Sequence, residues 1–182
     1  MNQEPESEAN LLSDAAISAL EWEVRKEFFG FGKEDEKILS ELQLVARTYA
    51  DEVIEDLYRW FFQFDDVKAY FPDENTVLRV KKLQKQYFLS LTRGQYGIDF
   101  LNQRLQVGRV HRRIGLPPHL YMGAYSFYMQ SMLPRVLAGF EYDRAKRAQA
   151  TTALVKLIAL DQAVVLGAYF EDQNASISSF SG

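Results

Sequence analysis

The stretch GRVHRRIGLPPHLYMGAY, residues 108–125, holds both histidines of the chain and decides how the rest is read. Its first half continues a helical pattern from FLNQRLQV, residues 100–107. In that helix Val107, Val110 and Ile114 lie beside His111 at spacings of minus four, minus one and plus three, so the ring faces apolar surroundings. Gly108 removes a side chain from nearly the same face. A glycine inside a helix costs about 1 kcal/mol relative to alanine, and a flat ligand lying against that face would supply a reason for it. Pro117 and Pro118 then stop the helix, and Pro118 suits the first turn of the next one. Taken alone, His111 reads either as a core imidazole bonded to a carbonyl or as the single axial ligand of a haem iron. His119 flanks the prolines and carries no role.

A second stretch, VIEDLYRWFF at 53–62, poses a matching question. Ile54, Leu57, Tyr58, Phe61 and Phe62 follow i, i+3, i+4, i+7, i+8, an apolar stripe with one phenol in its middle. A buried phenol needs a partner for its hydroxyl. Either a carbonyl elsewhere in the core provides it, or Tyr58 donates to a bound diatomic on the ligand side of a haem. Between the two stretches, TVLRVKKLQKQYFLSL (76–91) puts Val80, Leu83 and Tyr87 on one face. Arg79, Lys81, Lys82 and Lys85 occupy its other positions, to pair with solvent or with haem propionates.

Composition narrows the classes. The chain has 182 residues and no cysteine, which excludes disulfides, thiolate zinc sites, iron–sulfur clusters and a cysteine nucleophile. Its net charge of −4 argues against a nucleic-acid binder. With 13 Phe, 10 Tyr and 2 Trp it is rich enough in aromatics to wrap a large flat ligand. The opening MNQEPESEAN is acidic, unlike a secretory signal, and no apolar run is read as the ~20 residues of a membrane span. The expectation is a soluble, cytoplasmic protein.

Helical periodicity dominates the pattern. Residues 1–12 read as a flexible lead, and Ser13 caps a first helix stopped by GFGK. A helical region from about 34 to 62 is expected to bend near ARTYAD (46–51). FPDEN at 71–75 is a turn, RGQYG a break, and helices follow over about 76–91, 98–114 and 118–139. Asp143 caps a closing helix to about Phe170, and residues 173–182 are a polar tail or linker. One all-α domain of seven or eight helices over 13–172 is expected.

RVHRRIGLPPHLYMGAY resembles the proximal segment of globin-coupled sensors and protoglobins, whose pattern is close to His-x-Arg-Ile-Gly followed by Tyr-Met-Gly-Ala. The 53 positions between Tyr58 and His111 match that family's distal-tyrosine to proximal-histidine distance. FGFGKEDEKILSELQ resembles the entry to its first core helix, after an extra N-terminal helix. The resemblance covers about residues 15–172. It implies a globin fold of the sensor type, haem b as cofactor, His111 as proximal iron ligand and Tyr58 as distal donor to O2. It also implies that Tyr121 contacts the proximal histidine. Phe61, Phe62, Val80, Leu83, Tyr87, Val107, Val110, Ile114 and Tyr125 would line the haem. Leu83 stands where some sensors have threonine, and Leu57 where protoglobins often have tryptophan.

The implied function is a haem-based gas sensor without enzymatic activity of its own, binding O2 or else CO or NO. Its signal would pass through the last two helices, which pair in a homodimer, to a partner or transmitter domain for which 182 residues leave no room. Met122, Met129, Met132, Leu154, Leu157, Ile158 and Val165 are candidates for core or interface. Two rivals stay open: a free-standing haem protein turning over O2 or NO, and a haem-free helical interaction module.

Overall fold

The computed structural model describes residues 18–178, and within them the chain forms eight helices and no strand. They are α1 (Ala19–Phe28), α2 (Lys33–Glu41), α3 (Gln43–Phe61), α4 (Asp65–Lys68), α5 (Glu74–Ser90), α6 (Ile98–Arg113), α7 (Pro118–Gly139) and α8 (Arg144–Ser178). The expected cap Ser13 lies outside the described residues. At the start of α1 it is Ser18 whose hydroxyl accepts from the Glu21 amide at 3.1 Å. Trp22 is fully buried and donates through its indole N–H to the Tyr96 carbonyl at 2.7 Å, which pins α1 to the loop before α6.

Most boundaries follow from local chemistry. Gly30, at φ +63°, turns the chain out of α1. Asp73 caps α5 by accepting from the Thr76 amide at 2.7 Å, and Asp143 does the same for Lys146 at 2.9 Å. Pro118 occupies the first turn of α7. The expected bend at 46–51 is absent. Ala46 and Ala50 are buried in regular helix, and the break falls at Leu42, where the amide reaches back three residues to Leu39. Leu42 is itself completely buried, so the corner between α2 and α3 is a packed part of the core. The short α4 was not anticipated by periodicity, which four residues cannot display.

α8 is the spine of the domain. It packs along α2, α6 and α7, while α3 lies against α5 and α7, and α1 against α6. The α6–α8 contact explains Gly108. A Cβ there would come within 2.5 Å of the Val165 carbonyl oxygen and 2.6 Å of the Ala168 methyl. The glycine therefore permits close approach of two helices, a correction to the reading that a flat ligand lies on that face. By length and apolarity Arg144–Phe170 would suffice to cross a membrane, which the sequence reading had discounted, and half of its most apolar window is buried inside the domain. Met132, Leu154, Leu157, Ile158 and Val165 resolve as core, Met129 is half-buried and Met122 is exposed.

Candidate functional site

His111 sits in the last turn of α6, where the sequence pattern placed it. Its ring lies 5.5 Å from that of Tyr121, centroid to centroid, at 54°. The Nδ1 atom is buried and has no hydrogen-bond partner. Burial pushes the imidazole's pKa down to about 4, so the ring is neutral at physiological pH. A neutral imidazole with a lone pair available is the form that ligates a metal.

Tyr58 is buried in α3, and its hydroxyl is also without a partner. Desolvation raises its pKa, so it is a neutral O–H donor. Three aromatic edges hold the ring: Phe61 at 5.6 Å, Phe62 at 6.0 Å and Phe71 at 5.6 Å. Lys81 of α5 reaches over it at 5.3 Å from the centroid. Among the described residues only four buried side-chain polar atoms lack a partner, and these two are the ones singled out by the sequence. The other two are the hydroxyls of Thr151 and Tyr169, and each such group left without a partner costs about 1–3 kcal/mol.

The residues expected around a haem divide into two groups. Phe62 (36% exposed), Leu83 (54%) and Ile114 (49%) present large apolar surface, and Phe61, Val80, Val107 and Val110 are half-buried. These are apolar side chains that a flat apolar ligand would cover. Tyr121 and Tyr125 instead belong to the interior, and so does the hydroxyl end of Tyr87. The Tyr121 hydroxyl donates at 3.4 Å to Asp161, so its contact with His111 is through the ring. The cations of α5 are not simply solvated: Lys81 pairs with Glu55 at 2.6 Å and Lys85 with Asp51 at 2.5 Å, both on α3.

Sequence reasoning missed what holds the tyrosines. Asp161 of α8 and Arg104 of α6 are both 0% exposed and pair through Nε and Oδ2 at 2.8 Å. Tyr87 and Tyr125 donate to the other carboxylate oxygen at 2.5 and 2.7 Å. Arg104 donates further to the Ser90 hydroxyl at 2.6 Å, and its guanidinium plane lies 3.6 Å from the Phe100 centroid and 4.4 Å from that of Tyr87. Burial opposes the charge on Arg104, and the Asp161 carboxylate together with the Tyr87 and Tyr125 phenols outweighs it, leaving the pKa above its ordinary value. The available signal was one acid inside the apolar run KLIALDQAVVLGAYF (156–170) and one base on the inner face of α6. Rings continue the connection: Tyr121 to Tyr125 at 5.2 Å, and Tyr125 to Tyr128 at 5.8 Å.

Comparison with known proteins bears on the family and the fold. The heme-based aerotactic transducer HemAT of Halobacterium salinarum is 27% identical over 156 residues, covering 81% of this chain and 32% of its own length. The chain thus spans about a third of that relative. Among solved structures, the globin domain of a Geobacter sulfurreducens globin-coupled sensor superposes with a TM-score of 0.77 at 21% identity, over 81% of this chain and 96% of that one. The globin domain of E. coli DosC, in a ferric form, gives 0.66 at 16% identity, over 79% and 98%. Both show that the eight helices have the fold of a sensor globin domain. Residues 18–175 match the Protoglobin family, and the chain belongs to it.

Proposed function

We propose that this chain is a haem-binding, gas-sensing globin domain in which His111 ligates the iron and Tyr58 faces the gas. The observation that carries it is the pair of buried, unpartnered polar atoms, Nδ1 of His111 on α6 and the hydroxyl of Tyr58 on α3, beside apolar side chains left open. Haem, when bound, supplies an iron with a coordination position for a diatomic molecule. Haem b is the form that suits a chain without cysteine, since thioether attachment requires one.

Phe61, Phe62, Val80, Leu83, Val107, Val110 and Ile114 would exclude water from the porphyrin. Tyr58, kept neutral by burial, donates its proton toward a ligand carrying negative charge, which favours O2 over the less polarised CO. Leu83 offers no hydrogen bond, so Tyr58 is the donor on that side. The domain is read as a sensor in the cytoplasm, without enzymatic activity of its own. The gas is O2, and the output passes through α7 and α8. Met122, Leu137, Val155 and Phe170, exposed on those two helices, support pairing with a second copy, and a transmitter or partner would take the signal.

An absorption spectrum of the purified protein, reduced and then exposed to O2 and to CO, tests this, with His111→Ala alongside. A Soret band that shifts with each gas and is lost or altered in the variant is expected. Wild-type protein that stays colourless with haem supplied would leave His111 as a packing residue and overturn the proposal.

A further inference from the structure

The buried cluster around Asp161 has more contacts than protons. Tyr87, Tyr121 and Tyr125 each carry one phenolic proton, yet all three approach Oδ1 of Asp161, at 2.5, 3.4 and 2.7 Å, and Tyr87 and Tyr125 also lie 2.5 Å from each other. Four contacts served by three protons cannot all be hydrogen bonds at once, so the Tyr87–Tyr125 contact competes with their bonds to Asp161. The third phenol, Tyr121, holds the longest bond, and its ring is the one against His111. The cluster also joins four helices: α5 through Tyr87 and Ser90, α6 through Arg104, α7 through Tyr121 and Tyr125, and α8 through Asp161. α6 and α8 are in close contact at Gly108, so a shift of α6 bears directly on α8.

We propose that Asp161, held in place by Arg104, is a positioning residue that couples α8 to the ligand site, reaching α5 through Tyr87 and the neighbour of His111 through Tyr121. It does not touch the haem or the gas. It sets how the Tyr121 ring rests on the imidazole, and any movement of α5 or α6 redistributes the three phenols on its one oxygen. The result is a load on α8 that differs between ligand states, which is what a coupling between two sites requires. The inference rests on the haem reading of His111.

The test uses haem-loaded protein with two readouts: the iron–histidine stretching frequency in the ferrous, ligand-free state, and amide hydrogen exchange across residues 157–170 with and without CO. Asp161→Asn keeps the shape and one acceptor while removing the charge. It should still give a Soret band, shift the stretching frequency, and reduce the CO-dependent change in α8 exchange at least about twofold, the signature of lost coupling. A haem-loaded Asp161→Asn protein matching the wild type in both readouts would overturn the proposal, as would wild-type exchange in α8 that ignores CO. Should Asp161→Asn not fold, Tyr121→Phe and Tyr87→Phe each remove one phenol and leave the Arg104 pair intact, and the same two readouts decide. Wild-type protein with no Soret band is a different result, which sinks the haem reading itself.

Discussion

Gly108→Ala sets two physical effects against each other. By helix propensity alone, alanine in the interior of α6 should stabilise the protein by about 1 kcal/mol. The structure reverses the sign. The added methyl would meet a backbone carbonyl oxygen of Val165 at 2.5 Å and the Ala168 methyl at 2.6 Å, against ordinary contacts of about 3.5–4 Å. Neither neighbour is the end of a flexible side chain, so α8 must retreat by roughly 1 Å, opening the most extensive helix contact in the domain. Overpacking of this kind costs about 1–3 kcal/mol, and more where backbone must move. With the upper value and the propensity gain subtracted, the net loss is about 2 kcal/mol, or roughly 4–8 °C in melting temperature for a domain of this size. Gly167→Ala is the internal control. It lies on the exposed side of α8, where a Cβ meets nothing within 4 Å, and should stabilise by about 1 kcal/mol. Urea unfolding followed by far-ultraviolet circular dichroism measures both. Gly108→Ala protein as stable as the wild type would refute the close approach of α6 to α8.

Three further outcomes follow from the site. Tyr58→Phe removes an unpartnered buried hydroxyl, so the haem-free protein should gain about 1 kcal/mol in denaturant unfolding. In the haem-loaded protein the same change should speed O2 release roughly fivefold while leaving CO release nearly unchanged, read by stopped-flow spectroscopy. Arg104→Met leaves the Asp161 carboxylate buried without its counter-charge and should cost about 3–5 kcal/mol; a loss below about 1 kcal/mol would mean the carboxylate finds solvent or a proton. His111, with a folded-state pKa of about 4 against 6.5 unfolded, takes up its proton first in the unfolded chain. Stability of the haem-free protein is therefore fully present above pH 6.5 and declines toward pH 4, by up to about 3 kcal/mol from this group. Denaturant midpoints across that range should show a slope that His111→Gln reduces.

What could be read from the sequence were features whose cause is local. The periodic faces of α3, α5 and α6, the prolines at the start of α7, the Asp73 turn and the Asp143 cap each follow from a few neighbouring residues. His111 and Tyr58 were legible because a polar group interrupting an apolar stripe is visible in one helix at a time. The corner at Leu42 was not legible. No glycine or proline marks it, and what bends the chain there is the fit of a buried leucine between α2 and α3.

The roles of Gly108, Tyr87, Tyr121 and Tyr125 were decided only by tertiary structure. In the sequence all four suited the wall of a ligand pocket, because apolar periodicity says that a face is buried and not what buries it. Folding put Val165 and Ala168 against the glycine and a lone carboxylate against the three phenols. Arg104 and Asp161 stand 57 positions apart, and neither has a charged partner within its own helix turn. Their pairing depends on the parallel packing of α6 along α8, a long-range contact that no window of sequence contains. The chain by itself thus determined an all-helical domain with one imidazole and one phenol facing its apolar side. The three-dimensional packing decided which aromatic residues remain free to meet a ligand and which are held by the core.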